Sequence, residues 1–269
     1  MKKRGQIAVF VVIGIVILLV LVLLFAFKDK LGEAIRKEPT NVQEYLNLQL
    51  EDIKKEYSRC VGSETRNAIK LLIKNAGEFN ISTNYIRYAG ENYPVLCSQF
   101  KDQNLRNGCL ARPIFTFEAE EKLNDYLNDE VKSCLNLNSF RNKDYDLNLS
   151  EQNLSVKIFE DHILVNVNRD IKLKKGSFLA ETNTFIYNVE TPLGELIKVV
   201  NDLVQIVASG NDIDPLAYGL SSRNKYLVVV KKPYPDEIYQ VSKVGDSDNI
   251  FYFAILKEGR YPRVEGRLR

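Results

Sequence analysis

The sequence predicts an α+β protein in which an N-terminal transmembrane helix precedes a disulfide-stapled domain with about three helices and an antiparallel sheet. Three observations lead to this prediction: an uncharged run at residues 7–27, four cysteines after that run, and an apolar period that changes from helical to alternating near Tyr145. Helical and hairpin-like patterns occupy separate parts of the chain, which is typical of α+β folds.

The uncharged run has the length of a membrane span. Eighteen of its 21 residues are Val, Ile, Leu or Phe, and as a helix it reaches about 31 Å, close to the hydrocarbon thickness of a bilayer. It exceeds the apolar core of a secretory signal peptide, and no small-x-small cleavage site follows Phe27. We therefore expect an uncleaved signal anchor with the lipid bilayer as a partner.

The flanking charges predict the orientation and the domain limits. Three basic residues precede the run, so residues 1–6 are expected to be a cytoplasmic tail at the plasma membrane. Residues 28–40 then form a juxtamembrane connector, and residues 41–269 form an extracytoplasmic domain, with a subdivision near residue 140 or 212 as the alternative.

Lys3, Arg4, Gly5 and Gln6 directly precede the apolar run. This segment resembles the class III signal peptide of archaeal type IV prepilins. The resemblance implies that a prepilin-type peptidase cuts between Gly5 and Gln6, and that the mature chain assembles with other copies into a pilin-like filament. More loosely, a second helix ending in Cys134 and a helix opening Pro-Leu-Gly resemble archaeal single-pass exported proteins of unassigned activity.

Apolar periodicity predicts the helices. Thr40 and Gln43 form a capping-box pattern before a stripe that runs from Val42 to Ile73. Thr116 is the expected N-cap of a second helix. The third helix opens at Pro192 and ends at Gly210.

Residues after Tyr145 alternate with a period of two. The apolar positions on both sides of "EDH" predict a hairpin over residues 154–173. Further strands are predicted at "SFLAETNTFIYNVET", and in the tail at "KYLVVVKKPYP", "EIYQVSKV" and "NIFYFAILK".

All four cysteines follow the apolar run, so outside the cytoplasm they are expected to form disulfides. Of three possible pairings we favour Cys60 with Cys134, because both lie on apolar helical faces, and Cys97 with Cys109, which bracket a polar loop. No Cys-x-x-Cys occurs, which disfavours a zinc site.

Few residues suggest chemistry, so no catalytic residue, cofactor or metal is expected. The only histidine, His162, is predicted in an exposed hairpin turn, and no nucleotide-binding or hydrolase motif occurs. The chain after the apolar run has 34 basic and 35 acidic residues. This balanced charge argues against a nucleic-acid partner.

The remaining candidate sites, for glycosylation and for ligand binding, are expected at the surface. The three N-x-Ser sequons at Asn80, Asn148 and Asn153 are expected glycosylation sites. Two groups of tyrosines, at 85–93 and 226–252, are interpreted as core or cross-strand pairs, with an adhesive or sugar-binding face as the alternative.

These observations predict a signal-anchored cell-surface protein whose outer domain acts in binding, adhesion or envelope architecture. The second hypothesis is the pilin-like filament subunit. The third is an extracytoplasmic hydrolase without a recognisable motif, which two carboxylates at the bottom of a cleft would favour.

Overall fold

The computed structural model describes residues 17–18, 41–99, 108–134 and 144–257. The chain divides into two units, Met1–Tyr45 and Leu46–Arg269. Over the described residues the fold is α+β, with four helices from residue 42 onward and ten strands. The helices are α1 (Val42–Lys74), α2 (Thr116–Lys132), α3 (Leu193–Ala208) and α4 (Pro215–Ser221). The strands are β1 (Tyr85–Tyr88), β2 (Glu91–Gln99), β3 (Cys109–Ala111), β4 (Asp146–Leu149), β5 (Asn153–Ile158), β6 (His162–Lys175), β7 (Phe178–Glu190), β8 (Tyr226–Lys231), β9 (Glu237–Lys243) and β10 (Phe251–Leu256).

No helix within these described ranges is both long and apolar enough to cross a membrane. The longest, α1, has 33 residues but carries charged side chains along its length. The most apolar, α3, has 16 residues, about 24 Å, which is less than the roughly 30 Å of a bilayer core. On this finding the predicted transmembrane helix, and the single-pass membrane class based on it, are wrong. Of residues 7–27 the structure describes only 17–18.

Helix α1 buries one face, as its apolar stripe requires. The side chain of Asn41 caps it by accepting a hydrogen bond from the Glu44 N–H at 2.7 Å, whereas the expected cap, Thr40, lies outside the described residues. Midway along the helix, the Tyr57 ring meets Phe185 of β7 edge-to-face at 5.0 Å. Its hydroxyl donates to Gln152 Oε1 at 3.0 Å, so α1 packs on the sheet that contains β7.

Strands β4 to β7 form an antiparallel sheet. β7 pairs with one edge of β6 along nearly its whole length, while β5 and β4 pair in succession with the other edge. The predicted hairpin is present as β5 and β6, with Ile158 opposite Ile163. A register shift between Asn168 and Ile171 marks the point along β6 where its partner changes from β5 to β4.

Helix α2 lies beside the outer edge of β5. Glu120 accepts a hydrogen bond from the backbone N–H of Ile158 at 2.9 Å and pairs with Lys157 at 2.9 Å. Thr116 is the first helical residue and not the N-cap, because the extended residue before it, Phe115, occupies the cap position.

The other strands form a six-stranded sheet in the order β1-β2-β10-β9-β8, with β3 also paired to β2. β10 runs parallel to β2, and the other pairs are antiparallel. The predicted single antiparallel sheet is therefore corrected to two sheets, one of them mixed. Hydrophobic patterning shows that each segment is a strand, but it does not show that β10 returns to β2.

Helix α3 connects the two sheets. Its Asn201 side chain bonds both the N–H and the C=O of Ile114 at 2.9 Å, next to the mixed sheet. At its first turn, Gly194 lies against the β5–β6 turn, where an added Cβ would be 2.1 Å from the Phe159 carbonyl oxygen. Only glycine fits this contact.

The short helix α4 was not predicted, so the expected three helices become four over the described residues. Asp214 caps it, since its side chain accepts from the Leu216 and Ala217 N–H groups at 2.9 and 3.1 Å. The missed signal in the sequence was an Asp followed by a Pro at the first helical position, a pattern typical of a helix start.

Candidate functional site

One cross-strand row of side chains crosses the face of the mixed sheet that bears the Tyr93–Tyr252 pair. Strand pairing places Ile86 opposite Tyr93, Tyr252 opposite Gln240, and Gln240 opposite Val229. The parallel register of β2 and β10, with Ala254 beside Val95, sets Tyr93 and Tyr252 side by side. Residues from distant parts of the sequence therefore form one continuous cross-strand row.

Around this row lies an open pocket of about 220 Å³. The two tyrosine rings form its aromatic wall, with centroids 6.0 Å apart and planes inclined by 58°. Tyr93 is buried and Tyr252 is half-buried, so part of the aromatic surface faces the opening. The lining residues are Lys74, Glu91, Asn92, Tyr93, Lys231, Gln240 and Tyr252. We call this the tyrosine pocket.

Charge is unevenly distributed around the tyrosine pocket. Lys74 pairs with Glu91 at 3.3 Å, whereas Lys231 pairs with no carboxylate in the described part of the chain. Burial, followed by the Glu91 carboxylate and Tyr252, raises the pKa of Tyr93. The Tyr93 hydroxyl therefore stays protonated at neutral pH, so it can donate a hydrogen bond as well as accept one.

Two glutamates elsewhere in the protein are buried but neutralised. Glu237 accepts from the Tyr239 hydroxyl at 2.7 Å and pairs with Lys257 at 3.0 Å. Burial by itself raises the pKa of Glu237, but the bonds from Tyr239 and Lys257 outweigh burial and lower it. These contacts anchor β9 and are structural in character.

Glu195, at the start of α3, has the same kind of environment. It pairs with Lys225 and, at 2.8 Å, with Lys243. Burial opposes ionisation here too, and the two lysines still lower the pKa of Glu195. The carboxylate thus ties α3 to the strands β8 and β9.

A second, polar depression of about 340 Å³ lies on the antiparallel sheet. Lys172 approaches Asp170 at 3.9 Å and Glu181 at 3.6 Å, and the two carboxylate side chains are 50% and 59% exposed. Half-exposed carboxylates bridged by lysine are poorly placed for acid–base catalysis. Two carboxylates, Asp170 and Glu181, line this depression, whereas the tyrosine pocket has one, Glu91. The hydrolase hypothesis stays a prediction.

His162 begins β6 at the hairpin turn. Its Nδ1 lies 2.7 Å from Asp161 Oδ1, and its ring stacks on Phe159 with centroids 4.6 Å apart. The side chain is 32% exposed and lines neither pocket. Within the described ranges, no group of three His, Cys, Asp or Glu side chains is arranged to hold a metal ion.

The four cysteines form the nested pairs that the sequence favours. Cys60 of α1 is joined to Cys134 after α2, with Cα atoms 5.5 Å apart. Cys97 of β2 is joined to Cys109 of β3, with Cα atoms 5.6 Å apart. One disulfide thus links two helices, and the other links two strands of the mixed sheet.

The remaining predicted sites lie at the surface or outside the described residues. Asn80, Asn148 and Asn153 are all exposed, so their glycosylation stays a prediction. Gly5 and Gln6 lie outside the described residues, and the filament hypothesis that depends on them also stays a prediction.

Comparison with known proteins gives no relative: no protein-family profile, curated protein or solved structure matches this chain. Any functional argument therefore depends on the geometry of the chain itself.

The sequence indicated the two tyrosine groups, but it did not indicate that Tyr93 of one group contacts Tyr252 of the other. The core interpretation holds for Tyr239, which is 2% exposed and stacks on Phe253 at 5.1 Å. Tyr252 projects from the opposite face of β10, where it is half-buried, pairs with Tyr93 and packs against a second cluster of buried residues that includes Ala254. Strand alternation in "NIFYFAILK" indicates this difference, because Tyr252 lies between two inward-facing phenylalanines. Gln240 and Lys231 carried no signal in the sequence.

Proposed function

We propose that this protein acts outside the cytoplasm as a binding protein, and that the tyrosine pocket holds a sugar unit of an envelope or surface polysaccharide. The observation that carries the proposal is the Tyr93–Tyr252 pair on one row with Gln240. A sugar ring has an apolar C–H face that packs on tyrosine rings and hydroxyl groups that bond to amides. The pocket offers both kinds of surface.

The dimensions of the row favour a chain of sugars over a single small molecule. From β2 to β8 the row crosses three inter-strand spacings, about 14 Å. Val229, at its far end, is 40% exposed, so the surface continues beyond the pocket. An open face of this length suits a polymer that lies across the strands.

The cysteines support the proposed location. All four are in disulfides, and none is free. Disulfides persist in oxidising compartments and are rare in the cytosol. This supports an extracytoplasmic site of action, where polysaccharides are accessible to the protein.

A glycan array probed with the full chain tests the proposal. We expect at least one oligosaccharide to bind, and Tyr252→Ala to weaken its binding by about tenfold or more, since the change removes a stacking ring. Tyr234→Ala is the matched control, because Tyr234 is 89% exposed and lies outside the pocket. Tyr252→Phe should keep most of the affinity.

Two results would count against the proposal. One is the absence of any bound glycan. The other is equal binding by the Tyr252→Ala and Tyr234→Ala variants, with both variants folded as judged by their thermal unfolding midpoints.

A further inference from the structure

Several lysines in and beside the mixed sheet are paired with carboxylates. Lys74 pairs with Glu91 at 3.3 Å, Lys232 with Glu237 at 3.3 Å, and Lys243 with Glu195 at 2.8 Å. Lys231 differs from these three, because no carboxylate in the described residues pairs with it. An unpaired ammonium group in a pocket wall attracts an anionic group from a ligand.

The position of Lys231 brings this charge to the aromatic row. Lys231 lies opposite Ile238, two residues from Gln240 on β9. Diagonal neighbours of this kind are about 7–8 Å apart at Cα, within reach of a long side chain. Lys231 lines the same opening as Gln240 and Tyr252, so one ligand can touch all three.

No other lining group cancels this charge. Glu91 is the one carboxylate among the pocket's described lining residues, and Lys74 already pairs with it. The wall therefore carries a net single positive charge. A lone ammonium acts as a point charge and suits a monoanion, whereas phosphate and sulfate groups are commonly held by several donors or by the fork of an arginine.

We propose that the ligand of the tyrosine pocket is an acidic sugar of the uronic acid class, with its carboxylate paired to Lys231. Its ring packs on Tyr252 and Tyr93, and its hydroxyl groups bond to Gln240. This inference rests on the proposed function and adds the chemical class of the ligand. Nothing is transferred or cleaved in this interaction.

The test is calorimetric titration of the full chain with trigalacturonic acid and with its fully methyl-esterified form. The two probes differ only at the carboxyl groups, which the ester caps with methyl and leaves uncharged. We expect the acid to bind about tenfold more tightly than the ester, with the preference declining in high salt as the ion pair is screened. Lys231→Gln should bring the two affinities together.

Lys174→Gln is the matched control, because Lys174 is an exposed lysine on the antiparallel sheet and should not affect the preference. Equal affinity for acid and ester, with both lost in Tyr252→Ala, would overturn the acidic-sugar inference and leave the proposed function standing. Binding of neutral array glycans without either probe would do the same. The absence of binding to both probes and to every array glycan would overturn both.

Discussion

The tyrosine pocket and the depression on the antiparallel sheet are both open to solvent, yet their walls differ in chemistry. The first combines two aromatic rings, a glutamine and an unpaired lysine. The second consists of charged and polar side chains, with Lys172 between two carboxylates. The first offers aromatic surface against which an apolar ring can pack, whereas no aromatic side chain lines the second. Pocket size alone therefore does not identify a binding site, whereas the chemistry of the lining side chains does.

Each region has its own disulfide, and their loss should have the largest effect on stability. The Cys60–Cys134 disulfide, beside the antiparallel sheet, closes a loop with a sequence separation of 74, and the Cys97–Cys109 disulfide of the mixed sheet closes one of 12. Loop-closure entropy predicts losses of about 4.5 and about 2.8 kcal/mol on double replacement by alanine. Denaturant titration of the two double variants measures both values. A larger loss for the shorter loop would contradict this ranking.

The next largest loss of stability is expected when the contact between α3 and the β5–β6 turn is disturbed. Gly194→Ala puts a methyl group 2.1 Å from the Phe159 carbonyl oxygen, so we expect a loss of about 1–3 kcal/mol, since the backbone has to move. Gly219→Ala in α4 is the matched control, because its nearest neighbour is 3.9 Å away. That variant should be neutral or slightly stabilising. Equal unfolding midpoints for the two variants would refute the close contact.

Acid should weaken the contacts of the two buried glutamates on the mixed-sheet side. The pKa values of Glu195 and Glu237 are lowered in the folded protein, from an ordinary value near 4.5. Their stabilising contribution is thus fully present above about pH 4.5 and is lost as the pH falls through the lowered values. Glu237→Gln should cost about 1–3 kcal/mol at pH 7 and should flatten the decline in unfolding free energy below pH 4.5. If Asp170→Asn flattens it equally, acid sensitivity does not distinguish the two regions.

The smallest change in stability is expected for a substitution in the polar depression. Lys172→Ala removes two long, half-exposed ion pairs, which should change stability by less than about 0.5 kcal/mol. Glycan binding should be unaffected, because this residue lies on the other sheet. A loss of binding in Lys172→Ala would move the candidate site away from the tyrosine pocket.

The parts of the fold that follow from local patterning could be predicted. The alternation around "EDH" indicates the β5–β6 hairpin, and the stripe of α1 indicates its buried face, because side-chain direction repeats with the backbone period. The pairing of β2 with β10 could not be derived this way, since parallel neighbours are chosen by packing between distant segments. The tyrosine pocket depends on that pairing, so Tyr93 and Tyr252 were visible in the sequence only as separate groups.

The carboxylate of Glu120 has a consequence for how this chain behaves in a crowded solution. It accepts the outward N–H of Ile158, where the carbonyl of a further strand would otherwise bind. A strand edge with free amide groups can recruit the edge of a second molecule and begin aggregation. By occupying this position, α2 ends the sheet at β5. Glu120→Ala is therefore a change whose cost would appear in solubility more than in folding.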